Sequence, residues 1–322
     1  MNPADTPMSY LVTAGPAADP VTRLNWGLIA VSLAVVAIIA ALLLGAVLRR
    51  RPHRPGFGAV ERTSANSGLR WIYIGTGISS VVLAACAIWT LLALSAVTRP
   101  AVAPAFTVRV TGLQWWWRLR YEGAEAGGNA AFLTANELHI PVGKPVRLEL
   151  EGGDVIHSFW VPRLGGKTDT IPGLTNVSWI QADRPGVYRG QCGEYCGAQH
   201  AHMAMQVVAE PEPAFRAWWQ AQLAAAAPAA PGPALPGARL VQQHCAVCHA
   251  IRGTDADGLL GPDLTHLMSR RTIAAGTLPN DPAHLARWIA HPQQVKPEAR
   301  MPAVVLSDSE LRDVVAYLTT LR

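Results

Sequence analysis

Two short stretches of the sequence concentrate side chains that bind metals. The first, GQCGEYCGAQHAHMAM at residues 190–205, holds two cysteines, two histidines, a glutamate and two methionines. Thiolate, imidazole and thioether together form a soft ligand set, which favours copper over zinc or magnesium. Cys192 and Cys196 are four residues apart, and this spacing by itself also permits a disulfide. The stretch therefore indicates a copper site, with a redox-active thiol pair as the alternative.

The expected copper site needs a second segment. Two thiolates that bridge two coppers leave each metal in need of a terminal ligand, and His200 and Met203 follow the cysteines closely. One further histidine is required, and DVIHSFWVP at residues 154–162 supplies His157 at the end of a predicted strand. The fold must bring the two segments together before such a site can form.

The second metal-binding stretch is CAVCH at residues 245–249. This C-x-x-C-H pattern is the attachment signature of a c-type haem. Cys245 and Cys248 can form thioethers with the two vinyl groups of one porphyrin, and His249 then faces the iron. A thioredoxin-like dithiol and half of a zinc site are the alternatives, but no second ligand pair follows in the sequence. The pattern therefore predicts one covalent haem c.

The second axial ligand of such a haem lies well downstream, and Met301 in ARMPA is the candidate. A methionine–histidine pair raises the reduction potential of a haem and suits electron transfer. An R-M-P loop before a last helix resembles that of the small cytochromes c, and so does GPDL at residues 261–264. The alternative ligands in the same region are Met268, His266, His284 and His291.

The N-terminal third of the chain predicts a transmembrane helical hairpin. Residues 26–48 and 71–97 are uncharged and apolar, and a bilayer-spanning helix needs about 20 such residues. The loop at 49–70 carries six arginines and one glutamate, which accounts for the whole net charge of +5. A basic loop between two spans lies on the cytoplasmic side and can contact membrane lipid, so both termini are expected outside. The charge therefore gives no support to nucleic-acid binding.

Patterns along the rest of the chain divide it into domains. Strictly alternating segments such as PVRLELEG predict short strands in a small barrel or sandwich. An Ala/Pro/Gly run then reads as a semi-rigid linker, and a capping box from Ser307 to Glu310 opens the last amphipathic helix. The expected parts are an external lead at 1–25, the hairpin at 26–97, a β-domain at 101–220, the linker at 221–236 and a helical domain at 237–322.

Three segments carry a resemblance to a known family. DVIHSFWVPRLGGKTDTIPG, RPGVYRGQCGEYCGAQHAHM and TGLQWWWRLRYE are similar to segments of subunit II of the haem–copper cytochrome c oxidases. The haem domain at the C-terminus makes the chain resemble the caa-type subunit II, and the resemblance covers about residues 20 to 322. It implies a multidomain membrane protein with a two-helix transmembrane hairpin, a cupredoxin-like Greek-key β-barrel and an all-α cytochrome c domain.

The resemblance implies that the barrel carries a binuclear copper A centre with bridging cysteines. The implied ligands are Cys192 and Cys196 as bridges, His157 and His200 as terminal ligands, and Met203 with the backbone carbonyl of Glu194 to complete the two coordination spheres.

The resemblance also implies roles for neighbouring residues. The Glu194 carboxylate would bind magnesium at the boundary with subunit I. The tryptophan directly after the glutamine of QWWWRLRY, Trp115, would be the point at which electrons enter the copper site. His202 and Met205 are not expected to be ligands, because packing or solvent exposure explains them.

The implied function is that of the subunit through which electrons enter a respiratory terminal oxidase, an oxidoreductase and translocase. Electrons would pass from cytochrome c or another periplasmic donor to the haem c, then to copper A and on to subunit I. That partner holds haem a and the haem a3–CuB site, where oxygen is reduced with proton translocation, and subunit III completes the complex. The implied location is the bacterial plasma membrane, with both metal-binding domains on the periplasmic side.

Two other functions remain open at this point. The same module could serve a nitric oxide reductase that has a copper A subunit. A membrane-tethered copper carrier or redox sensor without a catalytic partner is the other alternative. A carrier needs exposed, exchangeable ligands, and six ligands from two separated segments argue against exchange.

Overall fold

The protein is described here by a computed structural model that covers residues 8–49, 65–122 and 131–322, with 65–67 as backbone only. The chain divides into two compact units, Asp19–Thr98 and the remainder formed by Met1–Ala18 with Arg99–Arg322. Most of the predicted basic loop, residues 50–64, lies outside the described residues, and only its two ends belong to them.

The first unit is a pair of long apolar helices, α1 (Asp19–Leu48) and α2 (Ala65–Thr98). At 1.5 Å per residue, helices of 30 and 34 residues reach about 45 to 50 Å, which exceeds the ~30 Å hydrocarbon core of a bilayer. Large apolar side chains project outward along both helices, as lipid-facing surfaces require. The helices lie close at Gly27, where a Cβ would come within 2.2 Å of the Trp89 ring.

The second unit contains a β-domain (residues 107–210), in which the described residues, all but 123–130, form ten strands. They are β1 (Thr107–Leu113), β2 (Trp116–Glu122), β3 (Phe132–Ala135), β4 (Glu137–Pro141), β5 (Val146–Gly152), β6 (His157–Phe159), β7 (Thr168–Thr170), β8 (Thr175–Ile180), β9 (Gly186–Gln191) and β10 (Ala204–Glu210). One sheet has the strand order β3-β2-β1-β5-β8, a second has β4-β10-β9, and β6 pairs with β7.

Strands distant in sequence are paired in both large sheets. β1 pairs with β5 and β4 with β10, each in parallel, while the other pairs are antiparallel. The alternation predicted for β5 is present, because Val146, Leu148 and Leu150 are buried and face the core between the sheets. Helix α3 (Glu212–Leu223) covers this core and buries Phe215 and Trp219 in it.

A C-terminal domain (residues 234–322) forms a second hydrophobic core from helices and short strands. Its elements are α4 (Ala234–His244), β11 (Ala250–Ile251), β12 (Ala256–Asp257), β13 (Thr272–Ile273), β14 (Leu278–Pro279), α5 (Pro282–Ala290), α6 (Pro292–Val295) and α7 (Asp308–Leu318). Helices α4 and α7 cross closely at Gly237, where a Cβ would lie 1.9 Å from the Asp313 carbonyl oxygen. The predicted capping box from Ser307 to Glu310 is confirmed at the start of α7.

Candidate metal centres

The cysteine-rich loop is closed by two paired strands. β9 and β10 are antiparallel, with Gln191 opposite Ala204 at their shared end. The next pair continues the ladder, because the Cys192 amide donates to the Met203 carbonyl at 2.9 Å. The eleven residues 193–203 therefore leave and return to the same point of the barrel, which brings side chains of the loop over one another.

Strand β6 brings His157 to this loop. The Gly193 amide donates to the Ser158 carbonyl at 3.0 Å, and the Gln191 amide donates to the Trp160 carbonyl at 3.0 Å. These bonds fix the start of the loop alongside β6, so that His157, from 35 residues upstream, lies beside Cys192. The structure thus brings together the two segments that the ligand count required.

Two buried thiols lie at the centre of the site. Cys192 Sγ and Cys196 Sγ are 3.8 Å apart, and both cysteines are free. A disulfide would need about 2.05 Å between the sulfurs, so the pair is not bonded. The ligand atoms of His157, Cys192 and Cys196 all lie within 4.8 Å of one another.

Three further donor atoms surround the thiols. The Glu194 carbonyl oxygen lies 3.2 Å from Cys192 Sγ, while His200 Nδ1 and Met203 Sδ lie 3.6 and 3.9 Å from Cys196 Sγ. Two ligands bound at 2.0–2.3 Å around one tetrahedral metal are separated by about 3.3–3.8 Å. The spacing of these donors, and the softness of the thiols and the thioether among them, therefore fit copper held between them.

Asp154 determines which nitrogen of His157 faces the thiols. The His157 Nε2 and Asp154 Oδ1 atoms are 2.8 Å apart, and His157 Nδ1 lies 4.0 Å from Cys192 Sγ. Because a carboxylate can only accept, Nε2 carries the proton and Nδ1 presents its lone pair to a metal. Burial opposes ionisation of Asp154, but hydrogen bonds from His157 and from the amides of Gln114 and Val155 hold its pKa below the ordinary value.

The two thiols interact strongly before any metal binds. Hydrogen bonding from Cys196 lowers the pKa of Cys192 and makes it the thiolate of the pair. The same interaction, together with burial, raises the pKa of Cys196. Because copper binds the thiolate form, metal binding must release the proton of Cys196.

The predicted electron entrance, Trp115, lies in the turn between β1 and β2. Its side chain is only 6% exposed, and its Nε1 donates to the Cys196 carbonyl at 3.0 Å. The side-chain amide of Gln114 donates through Nε2 to the same carbonyl at 3.0 Å. The turn therefore lies directly on the cysteine loop.

The remaining residues of the loop have other partners. The Glu194 carboxylate accepts from Lys167 Nζ at 2.8 Å, so a magnesium ion bound there would have to displace Lys167. His202 is exposed, with Nδ1 at 2.7 Å from Gln199 Oε1. Met205 is buried, and a Cβ at Gly190 would come within 2.7 Å of it.

The C-x-x-C-H motif follows α4 and is half-buried, with Ala246 in the core of the C-terminal domain. Cys245 and Cys248 are free thiols. His249 Nδ1 lies 2.7 Å from the Pro262 carbonyl oxygen, which can only accept, so Nε2 has its lone pair free for iron. Burial also lowers the pKa of His249, which keeps the imidazole neutral. Gly261 leaves room for the ring, since a Cβ there would lie 2.5 Å from His249 Cε1.

The structure also bears on the alternatives for the second axial ligand. Met301 lies in the loop between α6 and α7 and packs partly against the core of the C-terminal domain, as does Met268. Both ring nitrogens of His266 face carbonyl oxygens, those of Arg322 and Ala224. His284 Nδ1 lies 2.6 Å from an Asp281 carboxylate oxygen. His266 is thus the least available of these ligands.

The supports behind the copper ligands are not among the residues predicted from the sequence. Asp154 lies three residues before His157 in DVIHSFWVP, and only the folded strand reveals their contact. Nothing in the sequence indicates that Gly112 of β1 belongs to the site. A Cβ at this position would lie 2.8 Å from His157 Cδ2, so the imidazole occupies the space that a side chain would fill.

Comparisons with known proteins match both domains of the second unit. Residues 123–210 match the family model "Cytochrome C oxidase subunit II, periplasmic domain", and residues 234–322 match the model "Cytochrome c". These matches, with the two apolar helices, confirm the predicted fold class of hairpin, cupredoxin-like domain and cytochrome c domain.

Several curated relatives are named cytochrome c oxidase subunit 2. The protein of Alkalihalophilus pseudofirmus is 39% identical over 67% of this chain, and that of Bacillus sp. is 31% identical over 67%. The chain spans only 61% and 62% of the length of these two relatives. The protein of Cereibacter sphaeroides is 34% identical over 63% of this chain and 77% of its own length. The chain belongs to the cytochrome c oxidase subunit II family.

Proposed function

We propose that this chain is the subunit through which electrons enter a respiratory haem–copper oxidase. The observation that carries the proposal is the convergence of two thiols with two imidazoles, a thioether and a carbonyl oxygen around one buried point, in a chain that also holds a C-x-x-C-H motif. When bound, the copper pair and the haem supply one-electron redox chemistry without making or breaking bonds.

The protein's own contribution is to hold six copper ligands in a fixed arrangement. The ladder of β9 and β10 fixes the ends of the cysteine loop, and Asp154 fixes the ring of His157. Cys192, Cys196 and Met203 are at most 3% exposed, so water is excluded from the sulfurs. A rigid, dry ligand set changes little between oxidation states, which keeps the reorganisation cost of electron transfer low.

In the C-terminal domain, Cys245 and Cys248 would attach the haem and His249 would bind its iron. The hydrogen bond to the Pro262 carbonyl orients the imidazole and increases its basicity. We propose Met301 as the second axial ligand, since His266 already has a partner for each ring nitrogen. A thioether opposite an imidazole favours the reduced iron and suits transfer to copper.

The proposal extends to partners and location. Subunit I would accept the electrons and carry out oxygen reduction and proton translocation, with subunit III alongside, and cytochrome c or another periplasmic protein would donate. α1 and α2 would anchor the chain in the bacterial plasma membrane with the metal-binding domains outside. The buried copper ligands disfavour a carrier, which must release its metal. A magnesium ion at Glu194 would need further oxygen ligands from subunit I.

The proposal is tested on the complex purified from its native membranes. Replacing Cys192 and Cys196 together by serine should leave haem reduction by the donor intact and lower oxygen consumption to background. Cys86→Ser, in α2, is the matched control and should keep full activity. Unchanged oxygen consumption in the double variant would refute the proposal. A wild-type complex that consumes nitric oxide but no oxygen would identify the reductase alternative.

A further inference from the structure

A buried lysine of the C-terminal domain reaches into the β-domain. Lys296 is 3% exposed, and its ammonium group donates to the carbonyls of Trp115 at 2.7 Å, His202 at 2.9 Å and Ala274 at 3.3 Å. The first two carbonyls belong to the β-domain: Trp115 lies in the turn between β1 and β2, and His202 lies in the copper ligand loop, residues 193–203. Ala274 belongs to the C-terminal domain.

This arrangement satisfies all of the hydrogen-bonding capacity of the lysine. An ammonium group has three donors and no acceptor, and each donor here has one carbonyl. A buried ammonium without such partners would be strongly unfavourable. The fold therefore holds Lys296 in a specific set of hydrogen bonds, in contrast to the solvated lysines of a protein surface.

Arg300 makes a second contact with the β-domain, at Gln114 and Asp154. Its Nη2 lies 3.2 Å from Gln114 Oε1 and 3.4 Å from Asp154 Oδ2. Asp154 in turn orients His157 through its other oxygen. Arg300 directly precedes Met301, the proposed iron ligand, so a single short segment combines a contact to the copper site with the proposed ligand of the haem.

Two backbone amides add hydrogen bonds between the β-domain and the C-terminal domain. The Ala204 amide donates to the Ala275 carbonyl at 3.0 Å, and the Arg271 amide donates to Glu137 Oε2 at 2.9 Å. Ala275 has φ of 57°, a left-handed conformation that is unfavourable for an alanine. The C-terminal domain thus adopts a strained turn where it meets the first residue of β10, directly after the copper loop.

We propose that Lys296 and Arg300 dock the C-terminal domain on the copper ligand loop, so that electrons reach the copper site from within the chain and Trp115 is closed to external donors. This inference rests on the proposed function. With both groups bound, one electron would pass from the haem to the copper pair, and no bond or proton would change. An external donor, whatever its identity, must then deliver its electron to the haem. Lys296 and Arg300 are positioning residues, because they act through the Trp115 turn and Asp154.

The experiment uses the full chain with Lys296→Met and Arg300→Gln, singly and together. Lys144→Met and Arg312→Gln are the matched controls, since Lys144 pairs with Glu212 within the second unit and Arg312 is exposed on α7. Hydrogen–deuterium exchange of the metal-free chain should become faster in residues 112–117 and 269–277 of the test variants only. If Lys296→Met fails to fold, Arg300→Gln still tests the proposal, because the Arg300 side chain is 65% exposed and its replacement leaves the core intact.

The second readout is the rate of electron transfer from photoreduced haem to copper in the loaded chain. The double variant should be slower by about tenfold or more, with the haem potential and the copper absorption spectrum unchanged, because small displacements of reacting groups cost large factors in rate. Lys296→Arg, which keeps the charge, should recover part of the rate. Wild-type exchange and transfer rates in the double variant would overturn the docking proposal alone. A wild-type chain without any haem-to-copper transfer would overturn the proposed function as well.

Discussion

At the scale of single residues, the copper site depends on a carboxylate that binds no metal. Asp154 holds His157 in the tautomer whose Nδ1 faces the thiols. It also accepts a hydrogen bond from the backbone amide of Gln114 at 2.7 Å. Carboxylate–histidine pairs of this kind orient the ring and increase its basicity as a ligand. The affinity for copper should therefore depend on Asp154 as well as on the ligands.

Asp154→Asn tests this dependence. An amide can still lie beside His157, but its nitrogen cannot accept, and the imidazole loses its charged partner. We expect copper affinity to fall by about 10–100-fold, as for other second-sphere changes, in a titration against a competing chelator. Asp183→Asn, at an exposed position of the β-domain, should bind copper like the wild type. Equal affinities of the two variants would contradict the role given to Asp154.

The proposed metal ligands could be named from the sequence because ligand chemistry is local. Cys192, Cys196, His200 and Met203 follow one another at short spacing, and C-x-x-C-H is a signature by itself. Asp154 could have been proposed from its place three residues before His157. Lys296 could not, since nothing in its neighbouring sequence distinguishes a buried lysine from a solvated one, and only tertiary contacts remove it from water.

Met301→Leu tests the axial ligand of the haem. Leucine fills a similar volume but offers no lone pair, so the iron would lose its thioether and the haem potential should fall. The weak absorption band of the sulfur–iron bond near the red edge of the visible spectrum should disappear. Met268→Leu should leave this band in place. A band that survives in Met301→Leu and is lost in Met268→Leu would assign the ligand to Met268.

At the scale of elements, the copper site depends on how closely β1 and β6 approach. Gly112 is the point of contact, because a Cβ there would lie 2.8 Å from both His157 Cδ2 and Thr170 Oγ1. Trp117 of β2 packs against the same imidazole, with ring centroids 6.0 Å apart. Alternation predicted which strand residues are buried, but it gives no information on the spacing between strands, so this contact could not be predicted.

Gly112→Ala should destabilise the copper-loaded chain by about 1–3 kcal/mol, the usual cost of overpacking a closed core. The measurement is the denaturant midpoint at which the visible copper absorption is lost. Gly166→Ala is the control, because a Cβ there would meet nothing within 4 Å. If both variants keep the wild-type midpoint, β1 and β6 can separate more easily than the structure indicates.

The edge formed by β4 and β10 carries a buried histidine between two carboxylates. His139 Nε2 lies 3.0 Å from Glu137 Oε1, and Nδ1 lies 2.8 Å from Glu210 Oε2. Burial acts to lower the pKa of His139, but these two hydrogen bonds more than offset it and raise the pKa above the ordinary value of about 6.5. The charged ring therefore stabilises the fold below about pH 6.5, and this contribution is lost as pH rises through the raised pKa.

His139→Gln tests the pH dependence. The wild type should lose free energy of unfolding as the pH rises above about 6.5, whereas the variant should lose less, because it has no ring to deprotonate. Urea unfolding at several pH values measures the difference. His244→Gln, at an exposed position of α4, should follow the wild type. Parallel pH curves for the wild type and His139→Gln would contradict the assignment.

At the scale of the whole molecule, the chain combines an apolar hairpin with two metal-binding domains that share one compact unit. The order of these parts could be predicted, since apolar length, strand alternation and a linker composition are visible in sequence. The close contact of the β-domain with the C-terminal domain could not, because a Pro/Ala-rich linker permits many arrangements. The contacts of Lys296 and Arg300 select one of them.

The central claim is that one chain holds a copper pair and a covalent haem. It is tested most directly by the metal content of the purified full-length chain, measured by elemental analysis together with haem quantification. We expect two coppers and one haem per chain. Two bridging thiolates and four further donors provide the ligands for two coppers, and one C-x-x-C-H motif attaches one porphyrin. One copper per chain, or zinc in place of copper, would contradict it.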